Sequence, residues 1–285
     1  MVLKSYYHLT KPGIIYGNLV TTAAGFLLAS TGHIDLLLLV ETLVGVSLVI
    51  ASACVFNNYI DRGIDANMAR TKQRALVSGK ISAQSAIIYA TLLGLLGFLI
   101  LVVYTNPLTV VLGLIAMFVY VVLYGYAKRK SVLGTVVGSI AGALPPVAGY
   151  TAVTGSLDGG AALLFLILVC WQMPHFYAIA MYRFDDYKRA KLPVLPVVKG
   201  MKAAKVQILL YISAFTLAGA LFTIFGYTHI VFLVVVGGLG LSWLYKGIKG
   251  FSAEDDKKWA RGMFFYSLIV TLVLSVMLAV GARLP

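Results

Sequence analysis

Apolar runs of about twenty residues alternate with polar breaks along the whole chain. Nine such runs stand at about 14–31, 36–56, 84–104, 107–126, 132–153, 160–181, 206–226, 229–248 and 263–283. A helix needs about 20 apolar residues to cross the hydrocarbon core of a bilayer. The pattern predicts an all-α polytopic membrane protein of about nine transmembrane helices. Some breaks are very short, such as Thr31 to Asp35 and Thr105-Asn106-Pro107. Others, 57–83, 182–205 and 249–262, are long and basic. The stretch Met1 to Gly13 is polar and aromatic and lacks the apolar core and cleavage site of a signal peptide. The first run is therefore expected to remain as a span.

Composition agrees with this pattern. Hydrophobic residues make up 60% of the 285, charged residues only 12%, and mean hydropathy is +0.93. A soluble domain cannot hide so much apolar surface. The net charge of +13 would suit nucleic acid, but its placement argues against that partner. With the N-terminus in the cytoplasm, every Lys and Arg except Arg283 falls on the cytoplasmic side. This is the positive-inside distribution. It predicts a multi-pass protein of the cell (inner) membrane, with its C-terminus on the outer, periplasmic side. The basic clusters, Lys128-Arg129-Lys130 among them, read as topology determinants.

Cys54 and Cys170 lie inside apolar runs and read as small buried hydrophobes. Gly134, Gly138 and Gly142 recur every four residues and read as close helix packing, as Gly94 and Gly97 do more weakly. Pro145-Pro146 is expected to break or kink the fifth span and to expose carbonyls.

Candidate chemistry gathers at two places. Asn57, Asp61 and Asp65 follow the second run at intervals of four, which on a helix puts all three on one face. Asp185 and Asp186 follow the sixth run. Each group has basic company: Arg62, Arg70, Lys72 and Arg74 in the first loop, Arg183, Lys188, Arg189 and Lys191 in the second. Carboxylates suit Mg²⁺, which shares its oxygen ligands with phosphates. Arg and Lys suit the phosphates themselves. Together they describe a seat for a diphosphate whose tail lies in the membrane. The plainer reading is a pair of solvated charged loops. Regular spacing and duplication favour the seat. Asp35, Glu41 and Asp158 fall at or near the opposite face, and Glu254, Asp255 and Asp256 read as a solvated run.

His175 stands within the sixth span, where an ionisable residue is a candidate for function. It is open to three roles: iron-porphyrin ligand, base, or neutral partner of a neighbouring helix. Tyr177 and Tyr182 are candidates to line the same cavity.

The motif Asn57-x₃-Asp61-x₃-Asp65 resembles the first aspartate-rich motif of the UbiA superfamily of intramembrane prenyltransferases. The longer strings NNYIDRGIDANMARTKQRAL, KRKSVLGTVVGSIAGALPPVAGY, WQMPHFYAIAMYRFDDYKRAKLPVLPVVKG and DDKKWAR are similar to its haem-farnesylating branch. The resemblance runs from about Lys11 to the last span. Two departures are Ala75, where the pattern carries proline, and the adjacent Asp185-Asp186 in place of a spaced pair.

The resemblance implies one prenyltransferase domain over 1–285. It would be a UbiA-like helix bundle around a membrane-open cavity, capped by loops 57–83 and 182–205. It implies transfer of farnesyl from farnesyl diphosphate to the 2-vinyl group of haem b, with water addition. The products would be haem O, bearing a hydroxyethylfarnesyl chain, and diphosphate. Mg²⁺ would rest on Asn57, Asp61 and Asp65, with Asp185 and Asp186 completing the catalytic set. Arg70, Lys72, Arg74, Arg183 and Lys188 would bind diphosphate. His175, Tyr177 and Tyr182 would bind haem, which is substrate rather than cofactor. A terminal oxidase or a haem-modifying enzyme would be the protein partner. Two alternatives remain at this level: a prenyltransferase for an aromatic quinone precursor, and a membrane transporter.

Overall fold

The structure is a computed structural model and describes residues 2–281. Its elements, in order, are α1 (Val2–Leu9), α2 (Pro12–Ala29), α3 (Leu36–Asp65), α4 (Ala83–Tyr104) and α5 (Pro107–Phe118). A π-helical turn over Val119–Tyr124 leads directly into α6 (Gly125–Lys130). Then come α7 (Gly134–Thr154), α8 (Gly159–Tyr182), α9 (Phe184–Arg189), α10 (Leu195–Ile224), α11 (Ile230–Lys249) and α12 (Asp256–Gly281). Among the described residues nine helices are long and apolar enough to span a membrane, with Pro107–Lys130 acting as one. The protein is a multi-pass membrane protein.

Local chemistry explains where these helices start. The side chains of Asp35, Ser82, Asn106 and Asp158 accept backbone N–H bonds from Leu38, Ser85, Thr109 and Ala161. Each supplies a partner to an N–H that the first helical turn leaves open. Pro12 and Pro107 occupy first-turn positions, where a missing N–H does no harm.

Hydropathy placed the lipid-crossing parts well and the polar helix ends less well. The loop expected at 57–83 begins only after Asp65, because α3 continues through the acidic motif. The loop expected at 182–205 contains α9, and α10 starts at Leu195, well before 206. Gly200, with φ of 85°, interrupts α10. The last span begins at Asp256 rather than 263.

Of the break or kink expected at Pro145-Pro146, the break does not occur. α7 runs unbroken through both prolines. The carbonyls they leave without helical donors are tolerable because this part of α7 is packed in protein and borders a cavity.

α2 packs on α7 and on α12, and both of these pack on α8, so four helices close a ring. α3 and α5 flank it, α4 lies on α3, and α10 and α11 lie beyond α8. Glycines set the closest approaches. A Cβ on Gly25 would strike the Pro146 carbonyl, and one on Gly149 would strike that of Thr22, so α2 and α7 meet backbone to backbone. Gly134, Gly138 and Gly142 abut the Lys128 backbone, the Tyr124 ring and the Gln172 amide. Gly94 and Gly97 face Ser52 and Val49 of α3. The packing reading of these glycines holds. Cys54 and Cys170 are buried and free. Large apolar side chains such as Leu92, Leu95, Leu99, Leu210, Leu217 and Leu241 are exposed on the periphery, as a lipid-facing surface requires.

The two ends of the bundle differ. The six ion pairs found among the described residues all lie at the end shared by α1, α9 and the long loops. The other end is joined by neutral or singly charged contacts: Asn106 to the Thr151 carbonyl, Tyr150 to Asp158, and the His229 N–H to the Gly281 carbonyl. The run 254–256 is less solvated than expected. Asp256 pairs at 2.5 Å with the buried Lys205, whose ammonium also donates to the Gly250 carbonyl. Arg283 lies outside the described residues.

Candidate active site

The last turns of α3 carry Asn57, Asp61 and Asp65 on one face, 2%, 8% and 5% exposed. All three line a polar cavity of about 460 Å³ at the charged end. None is a solvated loop charge. Asp65 accepts from Arg74 Nη1 at 2.6 Å, and the same nitrogen donates to Asn58 Oδ1 at 3.1 Å. The Asp65 carbonyl accepts from the Thr71 hydroxyl at 2.9 Å, which ties the following loop to the helix end. Asp61 accepts from Lys128 Nζ, and from Arg129 Nη2 at 3.1 Å. Asn57 Oδ1 accepts from Lys11 Nζ at 2.9 Å, while its buried Nδ2 has no partner among the described residues. Burial pushes the Lys11 ammonium down to about 8.

This arrangement corrects one reading. Lys128 and Arg129 are not only topology determinants, since both hold Asp61. Lys11 had no assigned role either. Their partners lie 46 to 68 residues away in sequence, so no local spacing signalled them.

A second, larger cavity of about 720 Å³ adjoins the first. The two share Ile14, Arg70, Tyr120, Tyr124, Lys128 and Tyr187 as walls. The larger chamber reaches between α2, α3, α5, α7, α8 and α12. Its walls are mainly apolar and aromatic: Val49, Met117, Leu168, Trp171, Phe176 and Phe264, for example. Tyr120 and Tyr124 both come from the π-helical turn and stack at 5.6 Å. Such turns recur at functional sites because the extra residue re-aims side chains. Here they form the junction between mouth and chamber.

The second acidic pair behaves differently. Neither Asp185 nor Asp186 lines either cavity. Asp185 is exposed and accepts from Lys257 Nζ at 2.6 Å, a contact that lowers its carboxyl below the usual range. Asp186 is 8% exposed and accepts from Arg189 Nη2 at 2.5 Å. The residue of this segment that faces the mouth is Tyr187, whose phenol burial pushes up. Of the expected basic groups, Arg70 lines both cavities, Arg74 the mouth and Arg183 the chamber. Lys72 and Lys188 are exposed and line neither.

His175 lines the chamber, beside Trp171 and Phe264 with ring centroids 5.0 Å away in both cases. Its Nδ1 lies 2.7 Å from Ser267 Oγ, whose hydroxyl donates to the Phe264 carbonyl at 2.6 Å. Ser267 has one proton and spends it there. Nδ1 therefore carries the hydrogen in the neutral ring, and Nε2 keeps a lone pair. Tyr182 also lines the chamber. Tyr177 does not; it is buried against Tyr211.

The donor set at the mouth is all oxygen, as a hard cation requires. No group of three or more His, Cys, Asp or Glu converges among the described residues. That fits Mg²⁺, which is held through one or two carboxylates and completed by water and phosphate oxygens. The unpartnered Asn57 amide and the ring of Lys11, Arg70, Arg74 and Lys128 fit the phosphates.

Comparisons with known proteins agree with this layout. The model of the UbiA prenyltransferase family matches residues 18–269. Protoheme IX farnesyltransferase of Klebsiella pneumoniae is 53% identical over 285 residues, covering all of this chain and 97% of that one. Its counterpart in Escherichia coli O1:K1 is 52% identical over 286 residues, with the same coverage. Among solved structures, a digeranylgeranylglyceryl phosphate synthase superimposes with a TM-score of 0.80 at 21% identity, over 99% of this chain and 98% of that one. A UbiA homologue from Archaeoglobus fulgidus bound to GPP and Mg²⁺ superimposes with a TM-score of 0.71 at 17% identity, over 96% and 99%.

Proposed function

The chain belongs to the UbiA prenyltransferase family, and from that membership we propose that it transfers the farnesyl group of farnesyl diphosphate to haem b. Relatives that are 52–53% identical over 97% of their own length carry the name protoheme IX farnesyltransferase. The observation that carries the reading is the joined pair of cavities, one polar and cationic, one apolar and aromatic. A prenyl diphosphate has the same two-part character.

Diphosphate lies in the mouth against Lys11, Arg70, Arg74 and Lys128. Mg²⁺, when bound at Asp61 and Asp65 with Asn57, supplies positive charge to the diphosphate as the allylic C–O bond breaks. The solved relatives bound to Mg²⁺ with GPP or DMAPP support that choice of ion. The farnesyl tail lies in the chamber, whose apolar walls keep water from the allylic cation. The haem 2-vinyl group attacks that cation. Water captures the new cation beside the porphyrin and leaves a hydroxyethylfarnesyl chain, while diphosphate departs. His175 and Tyr182 face the haem. Residues 1–285 act as one domain in the inner membrane with the charged end in the cytoplasm. The product passes to a haem-modifying enzyme or a terminal oxidase.

Purified protein given haem b, farnesyl diphosphate and Mg²⁺ should yield haem O by mass spectrometry, and should stop when Mg²⁺ is chelated. Absence of product from folded protein would sink the reading. Production of a prenylated benzoate instead would favour the aromatic-acceptor alternative. The buried Asp186 and exposed Asp185 are also separable. Asp185→Asn should leave turnover near the unaltered rate, because its partner is a surface lysine. Asp186→Asn should lower it more, since Asp186 is buried and its neighbour in the chain, Tyr187, lines the mouth. The reverse order in a turnover assay would show that Asp185 turns inward when substrate is bound.

A further inference from the structure

Deep in the chamber one side chain is spent on one side and open on the other. Gln172 of α8 is 4% exposed. Its Nε2 donates to the carbonyls of Ser139, at 3.2 Å, and Leu168, at 3.1 Å. Both amide hydrogens are used, which fixes the amide's orientation. Its Oε1 accepts nothing from the described residues. Oε1 abuts Gly142 so closely that a Cβ there would collide with it. Gly142 presents a second open acceptor. Its carbonyl would take an N–H from residue 145 or 146, and both are proline. Gln172 and Gly142 both line the chamber. Gln172 Oε1 thus lies against the Gly142 backbone, next to a carbonyl without a helical donor, in an apolar cavity where an open polar group needs a partner.

We propose that Gln172 Oε1 and the Gly142 carbonyl hold the water that ends the reaction, an inference that rests on the farnesyl transfer read above. A water donating one hydrogen to each acceptor turns its lone pairs into the chamber. The position suits the chemistry. Gly138, one turn nearer the mouth, packs on the Tyr124 ring at the junction of the two cavities. Four residues of helix span about 6 Å, so the water sits about one turn inside the junction of the two cavities. It also sits on the chamber side of that junction, away from the diphosphate mouth where the allylic cation is released.

The step balances without a redox partner. The water oxygen gives an electron pair to the carbon beside the porphyrin and forms the C–O bond. One water proton leaves, and His175 Nε2 receives it. His175 is three residues from Gln172, on the same face of α8, and its Nε2 lone pair is fixed by the Ser267 contact. Without a held water, the same cation loses a proton from carbon and gives an alkene lighter by one water.

The test is the ratio of hydrated to dehydrated farnesyl-haem by mass spectrometry, in H₂¹⁸O so that the new hydroxyl is labelled. Gln172→Met keeps the length and removes the acceptor. Gly142→Ala keeps Gln172 and displaces its Oε1. Each should lower the ratio by about 10- to 100-fold, with farnesyl diphosphate still consumed. Gln172→Glu, which restores an acceptor, should recover part of it. An unchanged ratio, or equal loss of both products in both variants, overturns the water site and leaves Gln172 as packing. Failure of the unaltered protein to make any haem adduct would instead overturn the farnesyl-transfer reading. In His175→Ala the absorption band of bound haem should keep its position. A shift would mean that Nε2 binds iron, and would overturn its assignment to the proton.

Discussion

Asp61→Asn and Asp65→Asn should each lower farnesyl transfer by about 10²–10³-fold or more, with haem binding close to that of the unaltered protein. The two carboxylates line the mouth and not the chamber, so binding of the porphyrin and loss of the diphosphate are separable. Each substitution also leaves cations behind. Asp61→Asn weakens the hold on Lys128 and Arg129, and Asp65→Asn the hold on Arg74. A buried charge that loses its partner destabilises its surroundings, so folding must be followed beside turnover. Haem titration by absorption and product formation by mass spectrometry give the two readouts. Lost haem binding with an intact fold would place the acidic face against the porphyrin and reverse the assignment of the compartments.

A large effect on stability is expected at Gly149. A methyl there meets the Thr22 carbonyl oxygen and, at 3.0 Å, its carbon. Backbone cannot rotate aside as a side chain can, so α2 and α7 must separate. Overpacking of this kind costs about 1–3 kcal/mol, and α2 and α7 both border the chamber, so activity should fall with stability. Gly237→Ala is the control, because a Cβ there meets nothing within 4 Å. Thermal unfolding in detergent should show a clear drop for Gly149→Ala and little change for Gly237→Ala. Equal melting temperatures would mean that the α2–α7 contact is looser than the glycine geometry implies.

The spans were legible because lipid imposes a simple rule: an apolar run of fixed length. Where the helices leave lipid the rule lapses. Hydropathy ended the second run at 56, yet α3 continues to Asp65. The spacing of Asn57, Asp61 and Asp65 held that information, since a shared face presupposes a helix. The starts of α10 and α12 carried no such signal. At the site, the acidic face was readable because its residues are near neighbours in sequence. Lys11, Lys128 and Tyr187 were not, because chain folding alone brings them to it. The cluster at 128–130 looked complete as a topology determinant, and only the packing of α6 beside α3 joins it to the acidic face. Pro145-Pro146 was read as a break because two lost hydrogen bonds look prohibitive in a lone helix. In the bundle, the carbonyl left open at Gly142 borders a cavity.

The length of α3 sets where the reaction meets its substrates. Thirty residues make a rod of roughly 45 Å, against a hydrocarbon core of about 30 Å. The acidic turns stand at headgroup depth while the chamber below lies among the acyl chains. Amphiphilic substrates partition to those depths and approach by diffusion within the bilayer. The quantity that governs saturation is then their mole fraction in lipid or detergent, not their bulk molarity. Adding detergent at fixed substrate should slow the reaction by surface dilution, and a KM stated per litre changes with every change in the amount of lipid.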